Sequence, residues 1–456
     1  MIQSLGIGNS GLAAAQRGIE VVSHNLANIN TPGYSRQRVE QHSAFPTIGP
    51  RSLGPGAYGN GVTITGVSQM RDALLDSGMR TALGDQGMSD EVNKAMTSIQ
   101  NIAGTLQDGL SSDLSKFWSA WTDVAASPTS VTARSAAIDA GNQLARSIRS
   151  ASTSIEGLVS DSGLRMVQYA DQATSLARQV ASLNASILDV TNAGGAPNDF
   201  IDQRNVAVEQ LSKLTGAQVR GNGAMVDVTV GGSILVSGVS AEAVTVSGSP
   251  PEMHVNGGRV TPGGSIGGLQ TLAGNGVDDL RQRLNLLANG LRDAMNTAHA
   301  AGTDLNGDAG IDFFTGSGAA DFAVNDGLTP SMIAASAGGE TGDANNALAI
   351  ADLRYAKIVG TPTTPGSLTL TAGDAIADIV SQVGQKATSA QRSLDSSTAI
   401  VTALTGQRAQ ESGVSMDEEL SNLLQYQRAY QAAARVVTAS DELLDTLINH
   451  VGLVGR

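Results

Sequence analysis

Both ends of this chain carry apolar residues at the alternating three- and four-residue spacing of a helix that must bury one stripe against another helix. Near the N-terminus Leu12, Ala15, Ile19, Val22, Leu26 and Ile29 keep that spacing. At the other end Met416, Leu420, Leu423, Tyr430, Ala434, Val437, Leu444, Ile448 and Val451 fall on one seam, interrupted by Gln427 and Asp441. So narrow a stripe is a coiled-coil seam, and a helix that carries one is marginal until it meets a partner. Gly6, Gly8, Gly11 and Gly18 weaken the first helix further, each by up to about 1 kcal/mol relative to Ala. The N-terminal helix is therefore expected to be stable only against other helices, from its own C-terminus or from neighbouring subunits.

The first helix is told where to stop. In "HNLANINTPG" Asn25, Asn28 and Asn30 suit a helix terminus better than an interior, and Pro32-Gly33 suits the centre of a type II turn with positive φ at Gly33. Ser415 followed by Glu418 reads as a capping box that starts the last helix, and the acidic run "MDEEL" complements the helix dipole there.

The interior repeats the helical pattern. Val277, Leu280, Leu284, Leu287, Leu291, Ala294 and Ala298 form one seam; Ile376, Val380, Val383, Ala387, Ala390, Leu394, Val401 and Leu404 form another, with Ser397 its polar member. No Pro falls between Thr129 and Ala196, where Ala173, Leu176, Val180, Leu183 and Ile187 continue the spacing, so long rods are expected. "GNGVTITG" (59–66) reads as a short strand, and 217–268 alternates apolar with polar residues between Gly-Gly, Pro-Pro and Asn-Gly-Gly turns.

The fold class expected is mainly α with an inserted β domain, with long coiled-coil-like helices from both termini packed together. Three regions follow: an inner terminal-helix domain (1–35 with 415–456), a long-helix rod domain with short β elements (36–215 with 272–414), and a small antiparallel β domain (216–271) that could extend into part of 316–345.

Charge and composition narrow the function. A net charge of −14 without a Lys/Arg cluster argues against nucleic acid or an anionic membrane as partner. The chain has no Cys, which removes disulfides, thiolate metal sites and Cys nucleophiles. No basic residue precedes Arg17 and no continuous apolar core follows, so a secretory signal is not expected, and no run reaches the roughly 18 apolar residues of a membrane span. A soluble chain is the expectation, leaving the cell, if it does, by a route that reads no such signal.

Candidates for chemistry are few. Asp304, Asn306 and Asp308 alternate as calcium ligands would, but the sixth position is Ala309 instead of Gly and the twelfth is Thr315 where Glu belongs, so an ordered turn is the expected reading. His24, His42, His254, His299 and His450 share no ligand spacing and read as surface or capping residues. Ser, His and Asp occur without a nucleophile elbow. Trp118 and Trp121, at helical spacing with Leu114 and Phe117, read as core. No catalytic, metal or cofactor-binding residue is assigned, and no cofactor is expected.

These residues carry a family resemblance. "SHNLANINTPGYSRQ" (23–37) resembles the N-terminal signature of the bacterial flagellar rod, hook and hook-associated proteins, and "DEELSNLLQYQRAYQAAARVVTASDELLDTLI" (417–448) resembles their shared C-terminal helix. "NDFIDQRNVAVEQLSKLTGAQV" (198–219), "AGTDLNGDAGIDFF" (301–314) and "NNALAIADL" (345–353) resemble segments of the family's junction members, which stand between hook and filament.

The resemblance implies a structural, non-enzymatic protein at the distal end of the hook, in a tube whose innermost layer is built from the terminal helices. It implies export through the flagellar type III apparatus to an extracellular position. The implied partners are further copies of the chain in a ring or helical assembly, hook protein, a second junction protein or the filament side, and an export chaperone at the C-terminal helix. The assembly residues would be Leu12, Ile19, Val22, Leu26, Ile29, Leu420, Leu423, Tyr430, Val437, Leu444 and Ile448, with Asn28, Asn30, Thr31, Pro32, Gly33 and Tyr34 as the turn motif. A hook or rod component shares the terminal signatures and is the alternative; a hook protein would carry a larger β-rich middle.

Overall fold

The computed structural model describes residues 2–48, 57–340 and 342–449. Val451, expected on the C-terminal seam, and His450 lie outside them. The described residues divide into two compact units. The first draws on Met1–Gly84, Gln172–Val244 and Thr398–Arg456, the second on Asp85–Asp171 and Thr245–Ser397.

Helix α1 (Ile2–Ala27) opens the first unit. Strands β1 (Gln37–Ser43), β2 (Thr47–Ile48), β3 (Ala57–Tyr58) and β4 (Val62–Gln69) follow, with β1 antiparallel to β4 through a bulge at Glu40/Gln41, and β2 antiparallel to β3. Helix α2 (Ala73–Thr105) runs through a π-helical turn at Leu106–Leu110 into α3 (Ser111–Ala126). The Pro-free stretch becomes the 62-residue helix α4 (Val131–Asn192), followed by α5 (Asn198–Thr215). Gly216, left-handed at φ 66°, ends α5.

Next come β5 (Gln218–Asn222), β6 (Met225–Val230), β7 (Ser233–Ser237) and β8 (Ser240–Ala241), a four-stranded antiparallel sheet in that order. Strands β9 (Val244–Ser247), β10 (Glu252–Val255) and β11 (Gly258–Arg259) form a separate three-stranded sheet, so 216–271 holds two sheets, and its last residues are helix α6 (Gly264–Thr271). The strands are two to six residues long, and Pro250 and Pro251, between β9 and β10, have no N–H with which to lengthen the ladder.

Helix α7 (Asp278–Ala300), the hairpin β12 (Phe314–Thr315) with β13 (Ala323–Val324), helix α8 (Asn345–Asp352) and helix α9 (Ala372–Ser412) complete the second unit, with the end of α9 entering the first. The core of the second unit is aromatic: Phe117, Trp121, Phe313, Phe314 and Phe322 are buried, with Phe314 stacked on Phe322 at 4.6 Å between centroids. Leu284, Leu287 and Leu291 of α7 and Ile376, Val383 and Ala387 of α9 turn their expected seams into the same core.

Helix α10 (Met416–Asn449) ends the described chain and packs antiparallel on α1. Four layers one heptad apart set the register: Ser4 with Ser440, Gly11 with Ala433, Gly18 with Tyr426, and Asn25 with Glu419. The contact face of α1 includes Gly8, Gly11, Ala15, Gly18, Val22 and Asn25, again spaced three and four. It shares only Ala15 and Val22 with the N-terminal stripe expected from the large apolar residues. Small side chains let the two backbones approach closely, so the glycines that weaken α1 in isolation become its contact surface.

Candidate functional site: the terminal helix pair and its elbow

The base of the helix pair is fastened by one amide. Asn25 is 1% exposed. Its Nδ2 donates to the Gln37 carbonyl at 2.9 Å and to Glu419 Oε2 at 3.0 Å, while its Oδ1 accepts from the Gln37 N–H at 2.9 Å and from the Tyr34 hydroxyl at 2.7 Å. Both donors and both acceptor positions are used, so this one side chain ties α1, the elbow, β1 and α10 together.

Glu419, also 1% exposed, accepts in addition from Arg36 Nε at 2.7 Å, and Arg36 Nη1 donates to Glu418 Oε2 at 2.6 Å. Burying a carboxylate is tolerable because it is paired and hydrogen-bonded on both oxygens. Glu418, expected to close a capping box with Ser415, thus pairs with Arg36; the start of α10 is nevertheless as expected, with the Glu419 N–H donating to the Ser415 carbonyl at 3.0 Å.

The elbow follows from local chemistry. Asn28 Nδ2 donates to the His24 carbonyl, Thr31 Oγ1 donates to Asn28 Oδ1, and the Tyr34 N–H closes on the Thr31 carbonyl at 3.2 Å. Gly33 takes φ +79°, as a type II turn requires, and a Cβ there would lie 2.2 Å from Val206 Cγ2 of α5. Asn30, Thr31 and Pro32 face outward, whereas Asn28, Gly33 and Tyr34 are half-buried.

Beneath the elbow, Asp202 accepts from the Ser35 N–H and from Arg71, which also pairs with Asp76. Burial pushes the Asp202 carboxyl up in spite of those partners, and burial together with Asp199, Asp202 and Glu419 pushes the Tyr34 phenol up. Both shifts describe a packed structural joint. His24 meets Asp199 at 3.2 Å and, with Pro32, Tyr34 and Val206, borders a cavity of about 320 Å³.

The expected assembly residues separate into three groups. Val22 is buried. Leu12, Ile19, Leu26, Ile29, Leu423, Val437 and Leu444 are half-buried, and Leu420, Tyr430 and Ile448 stand 43%, 42% and 74% exposed. Ile7, Leu424, Val436, Leu443 and Leu447 join the exposed set. The pair therefore closes on a stripe of small residues and leaves large apolar ones around it. Sequence reasoning missed the glycine stripe and the Asn25 and Arg36–Glu419 fastening. The signal for the stripe was present, since Gly8, Gly11, Ala15 and Gly18 keep heptad spacing.

Elsewhere, Asp304 Oδ1 accepts from the Asn306 and Asp308 N–H groups, so the calcium-like sequence closes on itself as a turn. Among the described residues no group of three or more His, Asp or Glu is placed to hold a metal ion. His299 corrects the surface reading given to the histidines: it is fully buried. Its aromatic neighbours and a backbone donor occupy a site that spacing alone does not reveal.

Three family models match the chain: flagellar hook-associated protein FlgK helical domain over 96–314, flagellar basal body rod FlgEFG protein C-terminal over 406–450, and flagella basal body rod protein over 5–34. The chain is similar to flagellar hook-associated protein 1 of Escherichia coli, 27% identical over 541 aligned positions that take in 96% of this chain and 98% of the relative. It is similar to that of Bacillus subtilis, 28% identical with 98% and 97% covered. The Escherichia coli alignment exceeds the 456 residues of this chain, so that relative carries segments this chain lacks. A solved structure, the flagellar hook junction protein FlgK from Burkholderia pseudomallei, shares the fold at TM-score 0.66 and 16% identity, covering 74% of this chain and all of that one.

Proposed function

We propose that this chain, similar over nearly its whole length to flagellar hook-associated protein 1, is the structural junction at the distal end of the hook, joining it to the filament. The observation that carries the mechanism is the register-locked α1–α10 pair with large apolar side chains left around it. Such a pair is complete as a folded element and incomplete as a surface. Copies of the chain, side by side, bury Leu420, Leu424, Tyr430, Leu443 and Ile448 against their neighbours' terminal helices. Hook protein meets one face of that layer and a second junction protein or the filament side meets the other.

The elbow at Asn28–Tyr34 redirects the chain from the inner pair to the rest of the first unit. The route outward is the flagellar type III apparatus, with an export chaperone shielding the C-terminal helix beforehand; the apolar residues exposed on α10 are what such a chaperone would cover. The role needs no catalysis, and its residues act by packing. A hook component would carry a larger β-rich middle, whereas the described residues are 65% helical, which favours the junction. Labelled chain on isolated flagella tests the reading: a single band at the distal end of the hook supports it, whereas label along the hook or within the rod would assign the chain to the alternative.

A further inference from the structure

We propose that His299 is an acid-released latch that fastens the arm 301–336, which carries Phe313, Phe314 and Phe322 of the second unit's core, to α7. Its side chain sits in the last turn of α7, fully buried, with its ring 6.1 Å from that of Trp121 and 5.9 Å from that of Phe313. Nε2 accepts the Ala334 N–H at 3.0 Å. The proton must then reside on Nδ1, which donates to the Ile311 carbonyl at 2.5 Å. One neutral tautomer thus joins α7 to two separate parts of the arm.

The surrounding backbone depends on that fit. Thr303 and Ser336 exchange N–H···O bonds at 2.7 and 3.2 Å, and Asn346 of α8 donates to the Ala334 carbonyl at 2.7 Å. Gly310 passes so close to α7 that a Cβ would lie 2.1 Å from the His299 carbonyl oxygen.

A second proton on the ring would turn Nε2 into a donor facing the Ala334 N–H. The hydrogen bond becomes a repulsion, and the new cation is buried. The charged groups facing the ring are Arg134 from α4 and Asp304 and Asp312 from the arm; α3 and α8 present Trp121 and Asn346, which do not titrate. Burial outweighs the Ile311 hydrogen bond and the two carboxylates, which favour protonation, and with Arg134 holds the imidazole below its ordinary proton affinity. An unfolded histidine binds its proton near pH 6.5, so the released arm takes up a proton that the latched one refuses. The latch contributes fully above about pH 6.5 and is lost as pH falls through the lower folded value.

The only two tryptophans of the chain, Trp118 and Trp121, are buried in this core and report on it. The test follows tryptophan emission, far-UV helix signal and histidine ring NMR of the full chain from pH 8 to 4. The expected result is an emission change below pH 6.5 that precedes loss of helix, with the His299 ring holding its Nδ1–H tautomer until that change. In His299→Gln, which keeps one donor and one acceptor without titrating, this first step should disappear into the global acid transition. Equal first transitions in both proteins would overturn the latch. So would a His299 ring that titrates near 6.5 with emission unchanged, a reading that needs only the natural chain and decides the matter if the variant does not fold. The outcome is independent of the junction reading.

Discussion

Gly18 of α1 lies directly beneath the ring of Tyr426 in α10, so close that a Cβ on Gly18 would sit 2.5 Å from ring atoms Cδ1 and Cε1. Elsewhere on α1, Gly6 has nothing within 4 Å of the same imaginary atom. The two glycines thus have opposite predicted consequences. Gly18→Val should destabilise the helix pair by about 1–3 kcal/mol through overpacking, while Gly6→Ala should add up to about 1 kcal/mol through helix propensity. Urea unfolding followed by helix signal separates them; the same sign for both would mean that the glycines are not the contact surface.

The elbow depends on Gly33 in two ways: its φ of +79° disfavours any β-branched residue, and Val206 fills the space where a Cβ would go. Gly33→Val should cost at least about 2 kcal/mol locally and impair incorporation at the hook tip, while the second unit, which contains neither residue, keeps its melting transition. Normal motility with normal junction occupancy would remove the elbow from the account.

Much of this architecture was legible from residue spacing. The long helices announced themselves through heptads and through the absence of Pro in α4, and the type II turn through Pro32-Gly33. The glycine contacts of α1 with α10 were not legible, because two stripes coexist on α1 and a reading that weights large apolar residues passes over Gly8, Gly11 and Gly18, which meet Val437, Ala433 and Tyr426. Leu444 illustrates the result: it is half-buried, whereas its neighbour Leu443 is 57% exposed. Polar fastening was equally hidden, since Asn25 and Glu419 stand 394 positions apart and each reads locally as a helix-end residue.

That fastening yields its own prediction. Asn25→Leu leaves Glu419 buried with Arg36 alone and deprives Tyr34 and Gln37 of their acceptor, so it should cost at least about 2 kcal/mol. Asn25→Asp keeps the shape and sets a second carboxylate against Glu419, so its stability relative to the natural chain should fall as pH rises through the carboxylate range. Unfolding curves at pH 4.5 and 7.5 read both, and a pH-independent difference between Asn25→Asp and the natural chain would contradict the arrangement.

The second unit has a carboxylate dependence of the usual sign. Burial acts to raise Asp113, but hydrogen bonds from Ser147, Gln143 and Lys116 outweigh it and hold the carboxyl below its ordinary range. Its contribution is therefore present above about pH 3.8 and is lost as pH falls through the folded value. Asp113→Asn should flatten the acid limb of the stability curve without moving the neutral plateau by the same amount; an unchanged limb would show that this cluster is not what acid releases.

The exposed apolar flank is the centre of the account. Leu424, 56% exposed on α10, touches little in the isolated chain, but the account buries it against neighbouring terminal helices. The measurement is filament attachment in cells whose only copy carries Leu424→Asp, alongside the melting of the purified variant. The variant should be exported and should melt within about 0.5 kcal/mol of the original, since surface changes away from special contacts cost little. In the assembly the unpaired buried charge should be penalised by several kcal/mol at every equivalent position, so that filament subunits leak into the medium. Full-length filaments on normally occupied hooks would show that this flank stays in water, and would contradict the account.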